Sequence, residues 1–262
     1  MSDLQTSAPA LTPAAATGGG EPTAAPASAA ATGGGEPTPA PAPAQPDLRI
    51  AIPKGALYRE SVALLAQAGL DTSGLDNPGR QLVFYNEGVR YFIVRPTDAP
   101  VFVSYGGVDC GICGKDSLLE AGLEAMELVD LGFGACRFVV AEPALSHGIA
   151  EDTYRRLGVL RVATKYPRIT AAYYNSLGIQ VELVKMHGNI ELAPLCGMAD
   201  RIVDITASGR TLLENDLVIV DEVLASTARF LGNPASVRVD PRVNDLARRL
   251  KALVGREARS AT

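Results

Sequence analysis

RIVDITASGRTL, residues 201–212, reads as an apolar strand ending in an acid, a loop of small residues, and the start of a helix. Backbone N–H groups of Thr206 to Gly209 can turn toward one point there, and the positive end of the following helix faces the same point. Gly209 permits close approach of the backbone to a ligand. The hydroxyls of Ser208 and Thr211 add donors, and Asp204 is placed to hold ribose hydroxyls. The segment therefore reads as a phosphate-binding strand–loop–helix. A plain strand-to-helix turn with a serine cap reads the same way on spacing alone.

Outward from this segment, short apolar strands alternate with helical patterns. Strands are expected at 49–52, 81–86, 91–94, 108–113, 125–131, 137–141, 160–164, 180–185, 201–205 and 217–223, with a further strand near 230–233. Helices are expected from Leu57 to Ala68, from Pro96, at 115–121, 167–177 and 191–196, from about Arg210, and over 241–254. This alternation predicts an α/β protein built of βαβ units with mainly parallel sheets. In such sheets ligands sit beyond the carboxyl ends of the strands, so the loops there carry the chemistry.

The chain has 262 residues and a net charge of −5. Residues 1–46 hold 14 Ala, 9 Pro and 6 Gly, no aromatic residue and no Lys or Arg. TGGGEPT occurs twice, at 17–23 and 32–38. Such a segment cannot bury enough apolar surface to offset the ordering of its backbone, and disorder is expected. It has neither the basic start and apolar run of a secretory signal nor the Arg of a mitochondrial transit peptide, so a cytoplasmic location is expected. The tail carries three acids, leaving 24 basic against 26 acidic residues in the remainder. That balance argues against a nucleic-acid or polybasic membrane partner. No stretch approaches the roughly 18 continuous apolar residues of a membrane span.

Three further loops offer cations at strand ends: Lys54 in PKG (53–55), Arg95 in RPTD (95–98), and Lys115 in GKD (114–116). The last is no Walker A loop, because Asp109 and Asp116 stand where that motif needs Gly and Ser or Thr. Cys110 and Cys113 form a CxxC, but Cys136 and Cys196 stand alone, so no second ligand pair completes a metal site. Small buried fillers are the simpler reading. With only His147 and His187 and no GxSxG, a histidine-based nucleophilic triad is not expected.

IPKG (52–55), RPTDAPVFV (95–103), VDCGICGKD (108–116), ATKYP (163–167) and, above all, ELAPLCGMADRIVDITASGRTL (191–212) together resemble the ATP phosphoribosyltransferase family of histidine biosynthesis. The resemblance runs from about Arg49 to Asn233. It implies two α/β lobes like a type II periplasmic binding protein, with the site in the cleft between them. The lobes are expected at 47–136 plus 221–262 and at 137–220, with crossings near Arg137 and Val220. The reaction implied joins ATP to 5-phosphoribosyl 1-pyrophosphate (PRPP), with Mg²⁺ on the pyrophosphate. Carried over by position, Asp204, Thr206, Ala207, Ser208, Gly209, Arg210 and Thr211 would bind PRPP. Lys54, Arg95, Lys115, Asp116 and Glu191 would serve the nucleotide or the pyrophosphate, and Asp204 and Lys54 would be catalytic. Metal ligands on the protein are left open.

Little sequence follows Asn233, which resembles the short form of the family without the C-terminal histidine-sensing domain. That form implies a hetero-oligomer with a regulatory subunit resembling histidyl-tRNA synthetase. Two positions depart from the family: Ala56 stands where an Arg is usual, and Cys113 where a Thr is usual. A catalytically silent paralogue or a ligand-binding module of the same fold is the alternative reading.

Overall fold

In the computed structural model, described for residues 46–260, eleven strands form two sheets. The segment expected to be disordered lies outside the described residues except for Pro46. The first sheet contains β1 (Leu48–Pro53), β2 (Val83–Asn86), β3 (Val89–Val94), β4 (Cys110–Gly114), β5 (Met126–Asp130) and β11 (Ala228–Gly232) in the order β2-β3-β1-β4-β11-β5. The second contains β6 (Cys136–Pro143), β7 (Leu160–Thr164), β8 (Val181–Lys185), β9 (Arg201–Thr206) and β10 (Leu217–Ser226) in the order β10-β6-β9-β7-β8. Parallel pairing is concentrated about β1, flanked by β3 and β4, and about β7, flanked by β8 and β9. Antiparallel partners outside these centres make both sheets mixed.

Helices cover both faces of each sheet, which is why the central strands read as unbroken apolar runs. Helices α1 (Tyr58–Gln67) and α9 (Pro241–Ser260) pack Leu65, Leu246 and Leu250 on one face of the first sheet, and α2 (Ala99–Ser104) packs Val103 on the other. On the second sheet, α4 (Ile149–Leu157) and α5 (Pro167–Ser176) cover the face of Phe138, Val162 and Val203. Helices α6 (Leu192–Leu195) and α7 (Arg210–Glu214) cover the face of Val139, Ala163 and Ile202. The remaining helices are α3 (Lys115–Ala121) and α8 (Pro234–Val239).

Four expectations need correction. Neither α4 nor α8 is among the helices expected from the sequence. Residues 95–98 form a turn, with the Asp98 amide donating to Arg95 O (2.9 Å), so α2 begins at Ala99 rather than Pro96. The return crossing expected near Val220 falls inside a strand: β10 pairs with β6 from Leu217 to Ser226. The chain passes back to the first sheet at Thr227, because β11 begins at Ala228.

That crossing explains the GKD stretch. The Asp116 carboxylate accepts a hydrogen bond from the Ser226 hydroxyl (2.9 Å), and the Asp116 amide donates to the same oxygen (3.1 Å). The Lys115 amide donates to Thr227 O (3.0 Å). A Cβ on Gly114 would run into the Asp116 carboxylate and push it from this joint. Among the described residues no helix is long and apolar enough to cross a membrane.

Candidate functional site

Strand β9 stays paired with β6 through its last residue, Thr206, while its pairing with β7 ends at Val203. Thr164 on β7 stands opposite Val203 on β9, so Lys165 and Asp204 come next at the same level. Strand alternation puts Asp204 on the face covered by α6 and α7. Burial pushes the Asp204 carboxyl above its ordinary value; the Ile205 amide pulls it down, nearby Glu191 pushes it up, and Lys165 pulls it down. The Ile205 N–H donates to the Asp204 carboxylate at 2.8 Å. Asp204, Glu191 and Lys165 thus form one electrostatic group, with two acids against one cation.

After Thr206 the chain leaves β9 and turns. Gly209 has φ of 76°, in the left-handed region that side chains rarely adopt, and its amide donates to the Thr206 hydroxyl at 2.7 Å. The loop from Ala207 to Gly209 is thereby closed onto the Thr206 side chain. Ser208, Arg210 and Thr211 are exposed at its rim, and Arg210 pairs with Glu214 one turn on (2.7 Å).

On the first sheet, Lys54 and Arg95 follow the adjacent parallel strands β1 and β3, and the Lys54 amide donates to Val94 O at 2.8 Å. Both residues are exposed, side by side at carboxyl strand ends. Lys54 lines a cavity of about 520 Å³ together with Ala56 and Arg59. Arg59 therefore brings a guanidinium to the wall from which the usual family Arg is missing. Two residues beyond Arg95, Thr97 lines a smaller cavity, of about 190 Å³, whose opposite wall is Lys165 and Tyr166. Loops of both sheets thus meet at this gap.

Two expected site residues are placed otherwise. The Lys115 ammonium forms an ion pair with Glu127, which also engages Arg229. Asp116 is held by Ser226. Both charged ends have a protein partner. The CxxC pairing also dissolves: Cys110 packs on the α1 and α9 side of β4 and Cys113 on the α2 side. Residues three apart on a strand point to opposite faces, and burial pushes both thiols up. Among the described residues no group of three or more His, Cys, Asp or Glu could hold a metal ion.

The sequence reading left Lys165 without a role. The signal that could have found it is its place just past an apolar strand, next to the strand that ends in Asp204.

Two α/β sheets thus gather acids and cations at carboxyl strand ends, with a left-handed glycine loop beside them, an arrangement that fits an anionic ligand. The comparisons with known proteins narrow this. The family model of ATP phosphoribosyltransferase (HisG) matches residues 95–252. An ATP phosphoribosyltransferase of Moorella thermoacetica is 49% identical over 213 residues, covering 79% of this chain and 93% of the relative. One of Rubrobacter xylanophilus is 47% identical over 81% of this chain and 97% of the relative. Among solved structures, the ATP phosphoribosyl transferase (HisG:HisZ) complex from Thermotoga maritima matches with a TM-score of 0.68 at 33% identity, covering 80% of this chain and 99% of that one. A histidine kinase sensor domain with similarity to periplasmic binding proteins matches at a TM-score of 0.50 and 13% identity, a likeness of fold alone. The chain belongs to the ATP phosphoribosyltransferase family.

Proposed function

We propose that the chain transfers the phosphoribosyl group of PRPP to N1 of ATP and releases pyrophosphate, the first step of histidine biosynthesis. The observation that carries this reading is the strand–loop–helix at 201–212: a half-buried acid followed by a glycine-turned loop, within the stretch the family model matches. Adenine N1 attacks the anomeric carbon as the bond from that carbon to the pyrophosphate oxygen breaks, and pyrophosphate leaves intact. N1 is unprotonated at neutral pH, so the reaction needs positioning and charge stabilisation rather than a strong base.

In this proposal the amides and hydroxyls of Thr206 to Thr211 hold the 5′-phosphate, and Asp204 accepts hydrogen bonds from the ribose hydroxyls. Lys54 and Arg95 meet the nucleotide or the pyrophosphate, with Arg59 beside them, and Glu191 stands next to Asp204 at the ribose. Lys115 and Asp116 are left out because Glu127 and Ser226 engage them. Mg²⁺ would ride on the substrate pyrophosphate and screen its charge. It keeps most of its ligands from phosphate and water and asks few of the protein.

The Thermotoga maritima relative is described as a HisG:HisZ complex. By that likeness this chain would work in a hetero-oligomer with a regulatory subunit resembling histidyl-tRNA synthetase, in the cytoplasm. The silent-paralogue alternative gains no support from the relatives, which are named as ATP phosphoribosyltransferases. The test is pyrophosphate release from ATP plus PRPP, with and without the partner subunit. Release that requires both substrates is expected. None from the assembled complex would overturn the proposal.

A further inference from the structure

The loop after β7 displays Lys165 from a rigid base. The Thr164 hydroxyl donates to Val203 O (2.9 Å) and accepts the Tyr166 amide (2.9 Å), with both groups buried. The Tyr166 ring packs edge-on against Phe138, centroids 4.7 Å apart. Lys165 alone points out, exposed between these anchors. Lys165 stands level with Asp204 and acts on its carboxyl, yet among the described residues no carboxylate forms a salt bridge with its ammonium. Across the small cavity stand Thr97, Ser117 and Glu120 of the first sheet's side. Glu120 is the one acid there, and its carboxylate is occupied by the Arg168 and Ile169 amides (3.1 and 3.0 Å).

We infer that Lys165 binds a di- or triphosphate group of the substrates, meeting it from the second sheet while Lys54 and Arg95 meet it from the first. The inference rests on the phosphoribosyl-transfer reading. PRPP has an anion at each end of its ribose. With the 5′-phosphate in the 206–211 loop and the hydroxyls on Asp204, a cation level with Asp204 but off that loop faces the anomeric end. The anion there is the pyrophosphate of PRPP or the triphosphate of the attacking ATP. An ammonium carried on an anchored backbone, with no salt-bridge partner to give up, loses little on meeting either.

The test is steady-state kinetics of the assembled enzyme carrying Lys165→Met or Lys165→Arg, with PRPP and ATP varied separately. Losing a charge-assisted hydrogen bond predicts a KM roughly 10- to 100-fold higher in Lys165→Met. A rise confined to PRPP assigns the pyrophosphate, and one confined to ATP assigns the triphosphate. Lys165→Arg keeps the charge and recovers most of the loss. The melting temperature stays within about 2 °C, as for a surface residue with no ion pair. Both KM values unchanged in Lys165→Met, or a loss that tracks a lower melting temperature, would overturn the inference. Calorimetry with inorganic pyrophosphate and tripolyphosphate reads the same residue without turnover. Weaker binding to Lys165→Met of at least one of them supports the inference, and equal binding of both contradicts it. If the parent itself releases no pyrophosphate from ATP and PRPP, the function reading fails, and this titration still decides the role of Lys165.

Discussion

The two ends of β9 are built on opposite principles. At its start, Arg201 is buried and saturated: its guanidinium donates to Glu142 on β6 (2.8 Å) and also pairs with Glu151 on α4. Glu142 is 1% exposed and accepts from the Gly148 amide at 2.8 Å, with the His147 ring against the same oxygen (2.6 Å). Burial pushes the Glu142 carboxyl up, but the Gly148 amide and Arg201 outweigh it and hold it below its ordinary value. Toward the other end, three residues on, Asp204 is pushed above its ordinary value by burial and Glu191, and among the described residues no cation forms a salt bridge with it. One end is a closed joint that stabilises the second sheet. The other leaves charge unsatisfied, as a site that awaits a ligand must.

The largest effect is expected at the closed end. Arg201→Met leaves Glu142 buried without its cation, which costs about 3–5 kcal/mol and lowers the melting temperature by roughly 6–20 °C. Adding Glu142→Leu should return most of the loss, since an apolar pair of similar volume replaces a buried ion pair at little cost. The Glu142 carboxyl titrates lower in the fold than in the unfolded chain. Its contribution is therefore present above the ordinary glutamate pKa and is lost as pH falls through the depressed folded value. Thermal melting from neutral to acidic pH reads both effects. Turnover per folded molecule should barely change, because this end is remote from the loop.

A smaller loss of stability and a larger loss of function are expected at the loop. Gly209→Val meets only Ile219 Cδ1 at 3.6 Å, an ordinary contact, so its cost comes from the backbone angle, about 1–3 kcal/mol. The KM for PRPP should rise at least about tenfold, the size of one lost charged hydrogen bond. A folded variant that binds PRPP like the parent would make Gly209 a turn residue only.

The difference between the two ends also explains what the sequence reveals. The site end is local: acid, small residues, Gly209 and the helix start lie within twelve consecutive residues, and Lys54 and Arg95 stand at obvious strand ends. The closed end is long-range. Glu142 and Arg201 are 59 residues apart and Asp116 and Ser226 are 110 apart, so nothing in either segment announces its partner. Helix α4 escaped because its apolar stripe is short: IAEDTYRRL buries only Ala150, with Tyr154 partly buried one turn on. Strand β10 read short because bulges between Ile219 and Asp221 and between Glu222 and Leu224 break the alternation that marks a strand. The same period, applied to β4, would have separated Cys110 from Cys113.

The smallest effect is expected at the cysteines. A thiol reagent should modify exposed Cys196 first and half-buried Cys136 more slowly, and should leave Cys110 and Cys113 untouched in the native state. Rapid reaction of either β4 thiol, or one equivalent of zinc per chain, would contradict their placement on opposite faces of the sheet.

Asp204→Asn separates the two principles most directly. The parent carboxyl titrates higher in the fold than in the unfolded chain, so its contribution to stability falls as pH rises through that interval and stays at its minimum at neutral pH. Asparagine removes the buried charge and keeps the shape. Melting temperature and kcat/KM for PRPP are the paired readout at neutral pH. The variant is expected to melt no lower than the parent while kcat/KM falls about 10- to 150-fold, the value of a charged hydrogen bond to the ribose. A variant that melts lower and turns over PRPP unchanged would place Asp204 among the structural residues.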